Sequence, residues 1–142
     1  MKLVHIFVSI AAAAACAEGM VETGDRAVEQ VTMTETEIVL RYGEERQVPG
    51  TVLRVTFGDV LEDSRCPRDV TCVWAGNARV LVGLAAGSGP THALELNTTV
   101  DPHSQDRLGV RVTLLEVTPE PTAGGSIPLS EYQVKLGIEP LS

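Results

Sequence analysis

The chain has 142 residues, a length for one domain, and 44% of them are hydrophobic, enough for a real core. Asp and Glu number 19 against 11 Lys and Arg, a net charge of −8. That balance argues against nucleic acid, whose binding depends on neutralising phosphates, and against electrostatic docking on an anionic membrane.

Taken in chain order, the first element is a leader. "MKLVHIFVSIAAAAAC" carries one basic residue, Lys2, then an apolar run from Leu3 to Ala15 interrupted by His5 and Ser9. Its length and small-residue end predict a signal peptide over 1–15 rather than a membrane span. The ending before Cys16 resembles the lipobox of bacterial lipoproteins, with Ala13 where a leucine is usual. That resemblance implies a lipid on Cys16 and attachment to the membrane through it. Ala17 follows where an aspartate would mark inner-membrane retention, so in a cell with two membranes the implied address is the outer one. From 16 to 36 the sequence is small, polar and acidic without sustained period, and reads as a tether for a domain over 37–142.

From Glu37 onward the period is two. Ile38, Leu40 and Tyr42 share one face, as do Leu53, Val55 and Phe57 in the next run. Ala78, Val80, Val82 and Leu84 alternate with Arg79, Leu81 and Gly83. Leu94 and Leu96 alternate with Ala93 and Glu95. In "VRVTLLEV" the adjacent Leu114 and Leu115 break the alternation, which predicts a bulge or a change of burial. Tyr132, Val134, Leu136 and Ile138 close the series. Between the runs lie turn signals such as "AAGSGP" at 85–90 and "PEPTAGGSIP" at 119–128. The pattern predicts an all-β fold: a small antiparallel sandwich or barrel of about seven strands.

One stretch does not follow from composition. "DSRCPRDVTCVWAGNA", at 63–78, holds two of the three cysteines and the single tryptophan. As a zinc site it lacks partners: the five residues between Cys66 and Cys72 exceed a zinc knuckle, and His92 and His103 fit a packed strand and a solvated turn. As a dithiol redox centre it has the wrong spacing and no helix to lower a thiol pKa. A disulfide between Cys66 and Cys72 asks nothing further, and if Cys16 is lipidated it leaves no odd cysteine in an oxidising compartment. Pro67 suits the second position of a turn, and Asp69 is expected to bond its own backbone. Trp74 lies two residues past Cys72, so on an extended chain it shares the disulfide's side and plugs the core. Asp63, Arg65, Arg68 and Asp69 are then expected at the surface, as a charged side free to meet a partner.

"EDSRCPRDVTCVWAGNARVLVGL" resembles a recurring pattern of uncharacterised bacterial secreted proteins and lipoproteins, a D-S-R-C-P segment followed by C-V-W-A-G and a strand. "VPGTVLRVTF" before it and "LLEVTPEPTAGGSIPLSEYQVKLGI" after it extend the likeness over Glu37 to Ile138. The resemblance implies a β-fold and an envelope location and brings no activity with it.

Signals for catalysis are thin. Asp101, His103 and Ser104 fall within one turn, too close to take three separate triad positions. The carboxylate pairs at 44–45 and 62–63 fit exposed strand ends, and "AAGSGP" fits a hairpin rather than a phosphate cradle. The expected protein is therefore a lipid-anchored envelope protein with a non-catalytic binding or structural role and no cofactor, metal or nucleic acid. Two other readings stay open: a secreted inhibitor, for instance of a protease, presenting loop 63–77 or 119–128, and a metal-handling domain.

Overall fold

A computed structural model describes residues 34–142. The expected signal peptide, Cys16 and nearly all of the tether lie outside the described residues. Eight strands follow: β1 (Thr36–Arg41), β2 (Glu45–Gln47), β3 (Leu53–Asp63), β4 (Ala78–Ala86), β5 (His92–Asn97), β6 (Ser104–Arg107), β7 (Val110–Thr118) and β8 (Gln133–Pro140). A single 3₁₀ turn, Leu129–Glu131, precedes β8. The strands form two four-stranded antiparallel sheets in the orders β1-β8-β7-β6 and β2-β3-β4-β5. This is a β-sandwich, built as the alternation predicts.

The core lies between the sheets and is made of the residues that the period of two selects. Ile38 and Leu40, then Leu53, Val55 and Phe57, then Ala78, Val80, Val82 and Leu84 are all buried. Leu94 and Leu96 from β5, and Val134, Leu136 and Ile138 from β8, complete it. Each fully buried Val, Leu or Phe is worth about 1.5–3 kcal/mol of transfer free energy, so this set dominates the fold's stability. Tyr42 meets Phe57 edge to face, with ring centroids 5.9 Å apart.

Two strands carry no apolar alternation. β2 is Glu-Arg-Gln and β6 is Ser-Gln-Asp-Arg. Both sit at sheet edges, where charged side chains discourage pairing with another chain. β3 runs on past Phe57 to Asp63, because two register shifts, at Phe57/Asp59 and Val60/Glu62, break its period without ending its pairing. In β7 the expected irregularity falls between Leu114 and Glu116. Leu114 stays buried, Leu115 turns out to solvent, and Val117 returns to the core.

This topology brings three connections to one end of the sandwich. They are the β3–β4 loop (64–77), the β5–β6 crossing (98–103) and the long β7–β8 connection (119–132).

Candidate functional site

The β3–β4 loop begins as a continuation of its hairpin. Past the last ladder pair, Asp63 with Ala78, the Ser64 N–H donates to the Asn77 carbonyl at 2.7 Å and the Cys66 N–H to the Ala75 carbonyl at 2.8 Å. Gly76 makes this possible. Its φ is +72°, and a Cβ there would fall 1.8 Å from the Ser64 carbonyl oxygen. The glycine of C-V-W-A-G is thus a backbone requirement.

Cys66 and Cys72 are joined by a disulfide, their Cα atoms 5.9 Å apart. The turn inside it differs in detail from the expected one. Val70 N–H donates to the Pro67 carbonyl at 3.2 Å, so Pro67 opens the turn and Arg68 and Asp69 form its corner. Asp69 does not bond its own turn. Its Oδ1 accepts from the Ala123 N–H at 2.8 Å, and the Arg68 N–H donates to the Pro121 carbonyl at 3.0 Å. The crosslinked loop therefore lies on the β7–β8 connection, and the two candidate loops form one surface.

Asp63 and Arg65 correct the expectation of a charged outer side. Arg65 grips Asp63 in a two-point fork, Nε to Oδ1 at 2.8 Å and Nη2 to Oδ2 at 2.6 Å. Two further guanidinium N–H groups donate to the carbonyls of Val117 and Pro119, the latter at 2.8 Å. The Tyr132 hydroxyl donates to Asp63 Oδ2 at 2.8 Å. Only 9% of the Asp63 side chain and 11% of the Arg65 side chain remain exposed. Partnering is what permits this burial: a two-point Arg–carboxylate pair with its other donors satisfied avoids the cost of an isolated buried charge. Arg68 and Asp69 do lie at the surface.

The titration behaviour follows from the same contacts. Burial pushes the Asp63 carboxyl upward, but the hydrogen bonds from Arg65 and Tyr132 outweigh it and hold the group below its ordinary value. Burial, with the bond to Asp63, pushes the Tyr132 hydroxyl up to about 12.

Trp74 also departs from expectation. It is 81% exposed, and Val73 beside it is 88% exposed. The chain bends at these two residues instead of running extended, so a spacing of two no longer places Trp74 on the side of Cys72. The aromatic that closes this end of the core is Tyr132, with Ile127 packed against the cluster.

Beside Ala75, on the return limb of the loop, lies a cleft of 260 Å³. Cys66 and Ala75 line it, as do Thr98 and Thr99 from the β5–β6 crossing and Glu116 and Glu120 from the β7 side. The threonines are held in place by the loop itself. Ala78 N–H donates to Thr98 Oγ1 at 2.8 Å, and Thr99 N–H donates to Asn77 Oδ1 at 3.1 Å. Sequence reasoning did not single out these residues or Tyr132's hydroxyl. No local pattern marks them, since each acquires its role from contacts with a segment distant in sequence.

The other residues weighed from sequence do not join this surface, and of them Asp101 lies 3.9 Å from His103 Nε2 within their own turn. His92 is half-buried opposite Leu84, and His103 Nδ1 lies 3.0 Å from the Asn97 carbonyl. No group of three His, Cys, Asp or Glu side chains among the described residues is placed to hold a metal ion. Glu44 binds the Arg41 N–H and the Arg46 side chain, and Glu45 pairs with Arg54, which ties these carboxylates into strand-end contacts. Comparison with family models, curated proteins and solved structures finds no match for this chain.

Proposed function

We propose that the protein is a non-catalytic binding module, anchored at the bacterial cell envelope through a lipid on Cys16, that takes hold of a protein partner with its crosslinked loop. The observation that carries the reading is the exposure of Trp74 on the return limb of that loop, two residues past Cys72. Leaving an indole in water forgoes burial worth about 1.5–3 kcal/mol, and Trp is among the residues that dominate interface energies. The loop is also held in one shape before any partner arrives, by the disulfide, by Gly76 and by the contacts to Pro121 and Ala123. Such preorganisation lowers the entropy cost of docking.

The envelope location draws support from the leader, from the position of Cys16, and from a disulfide that needs an oxidising compartment. The likeness of the D-S-R-C-P and C-V-W-A-G segments to bacterial secreted proteins and lipoproteins points the same way. A secreted inhibitor is the second reading. What favours it is the joining of loops 63–77 and 119–128 into one rigid surface.

The test is capture from envelope extracts with the wild-type chain and with Trp74→Ala. A protein retained by the wild type and lost with Trp74→Ala, while both chains melt alike, supports the reading. Equal retention by the two overturns it.

A further inference from the structure

Resting on the reading of Val73 and Trp74 as a docking surface, we infer that the segment they receive is a basic stretch of protein in which Lys or Arg alternates with apolar residues. The two residues supply an apolar surface and an indole face, and the negative face of an aromatic ring attracts cations. The cleft alongside supplies carboxylates that close no ion pair of their own: Lys135, opposite Glu116 in the ladder, is held by Glu37, and Arg65, the cation near Glu120, is held by Asp63. Neither Glu116 nor Glu120 closes an ion pair among the described residues, whereas Glu37, Glu44, Glu45, Glu95, Asp106 and Glu139 each do.

The cation nearest the cleft, Arg65, is committed. Four of its five guanidinium N–H groups are taken up by Asp63 and by the Val117 and Pro119 carbonyls, and its charge is matched by Asp63, which leaves little for an anionic ligand. Thr98 and Thr99 add hydroxyl-bearing side chains to the wall facing the loop. A peptide laid over Val73 and Trp74 and continuing past Ala75 would thus meet apolar surface first and unpaired carboxylates next. The chain's net charge of −8 steers such a partner inward and repels an anionic lipid surface.

Trp74 is the chain's single tryptophan, so its emission reads out whatever covers it. The full chain is titrated with a short peptide alternating Lys and Leu, with its Glu–Leu counterpart, and with vesicles of zwitterionic and of anionic lipid. The Lys–Leu peptide is expected to shift the emission saturably, with about tenfold weaker binding in high salt, where Debye screening is strong. Glu116→Gln combined with Glu120→Gln is expected to weaken it by a similar factor while leaving the melt unchanged. The inference is overturned if the Glu–Leu peptide binds as well, if the double variant binds like wild type, or if vesicles shift the emission and the peptide does not. A Lys–Leu peptide that fails while envelope capture still depends on Trp74 sinks this inference alone. Capture that ignores Trp74 sinks the docking surface itself.

Discussion

The hairpin between β4 and β5 and the loop between β3 and β4 join neighbouring strands of the same sheet, yet different kinds of contact hold them. The hairpin is held within its own sheet, by its own turn and by the chain entering β3. Gly89 N–H bonds the Ala86 carbonyl across the turn at 2.8 Å, and Gly87 N–H reaches the Val52 carbonyl at 2.8 Å. The β3–β4 loop is held from the opposite sheet, by Arg65 on Val117 and Pro119, Arg68 on Pro121, and Asp69 on Ala123. A turn held by bonds within its own sheet can be exchanged for another that keeps those bonds. A loop that satisfies its charges on a distant segment cannot be changed without disturbing both.

Breaking the long-range hold should have the largest effect. Arg65→Ala leaves Asp63 buried without its cation, and removing one member of a buried pair costs about 3–5 kcal/mol. Urea melts should show this loss, and Arg68→Ala, on the exposed corner, should show little of it. If Arg65→Ala melts within the error of wild type, the clamp is not what holds the loop.

The two glycines sharpen the contrast. Gly76 and Gly87 both have positive φ, so alanine at either pays a left-handed penalty of about 1–2 kcal/mol. Around Gly87 there is open space, whereas at Gly76 the new Cβ meets the Ser64 backbone. Gly76→Ala should therefore destabilise by about 1–3 kcal/mol more than Gly87→Ala, the cost of overpacking. Equal melts would mean that the loop opens freely.

Tyr132→Phe removes one hydrogen bond to a charged group, worth about 1.5–3 kcal/mol. Its pH dependence carries a definite sign. The folded Tyr132 hydroxyl titrates at about 12, above its ordinary value near 10, so its contribution is whole below pH 10 and is lost as pH rises toward 12. Wild type should lose stability across that window faster than Tyr132→Phe does. At the acid end the sense reverses. Asp63 is held below its ordinary value, so its contribution is present at neutral pH and drains away as pH falls through the lowered folded value. Parallel pH profiles for wild type and variant would remove Tyr132 from the network.

Opening the crosslink acts on a short loop, and Cys66→Ser with Cys72→Ser should cost about 2 kcal/mol in the chain-entropy picture. Denatured wild-type chain should show no alkylatable thiol at Cys66 or Cys72 until reductant is added. The smallest effect is expected at Trp74. As an exposed residue, its replacement by Ala should change stability by no more than about 0.5 kcal/mol. A loss of several kcal/mol would return it to the core-plugging role that its spacing from Cys72 suggests.

Alternation along the chain determined the two-faced strands, because whether Val80 or Arg79 faces inward depends only on neighbours in the same strand and on the gain from burying the apolar one. The break at Leu114 and Leu115, the "AAGSGP" turn and the short-range cysteine pair are local in the same sense, and each was legible from residue type and spacing. The polar strands β2 and β6 were not. They pair because β3 and β7 offer them an edge, and no apolar face records it. Nor did sequence reveal that Asp63 and Arg65 turn inward, that Asp69 reaches Ala123, or that Trp74 faces solvent. Spacing predicts direction only while the chain stays extended, and past Asp63 the path bends. The partners that draw Arg65 and Asp69, the Val117 and Pro119 carbonyls for the first and the Ala123 N–H for the second, lie 52 to 54 residues away, at the end of β7 and in the connection after it. A buried charge goes where its partners are, and only the packed sandwich brings those partners to it.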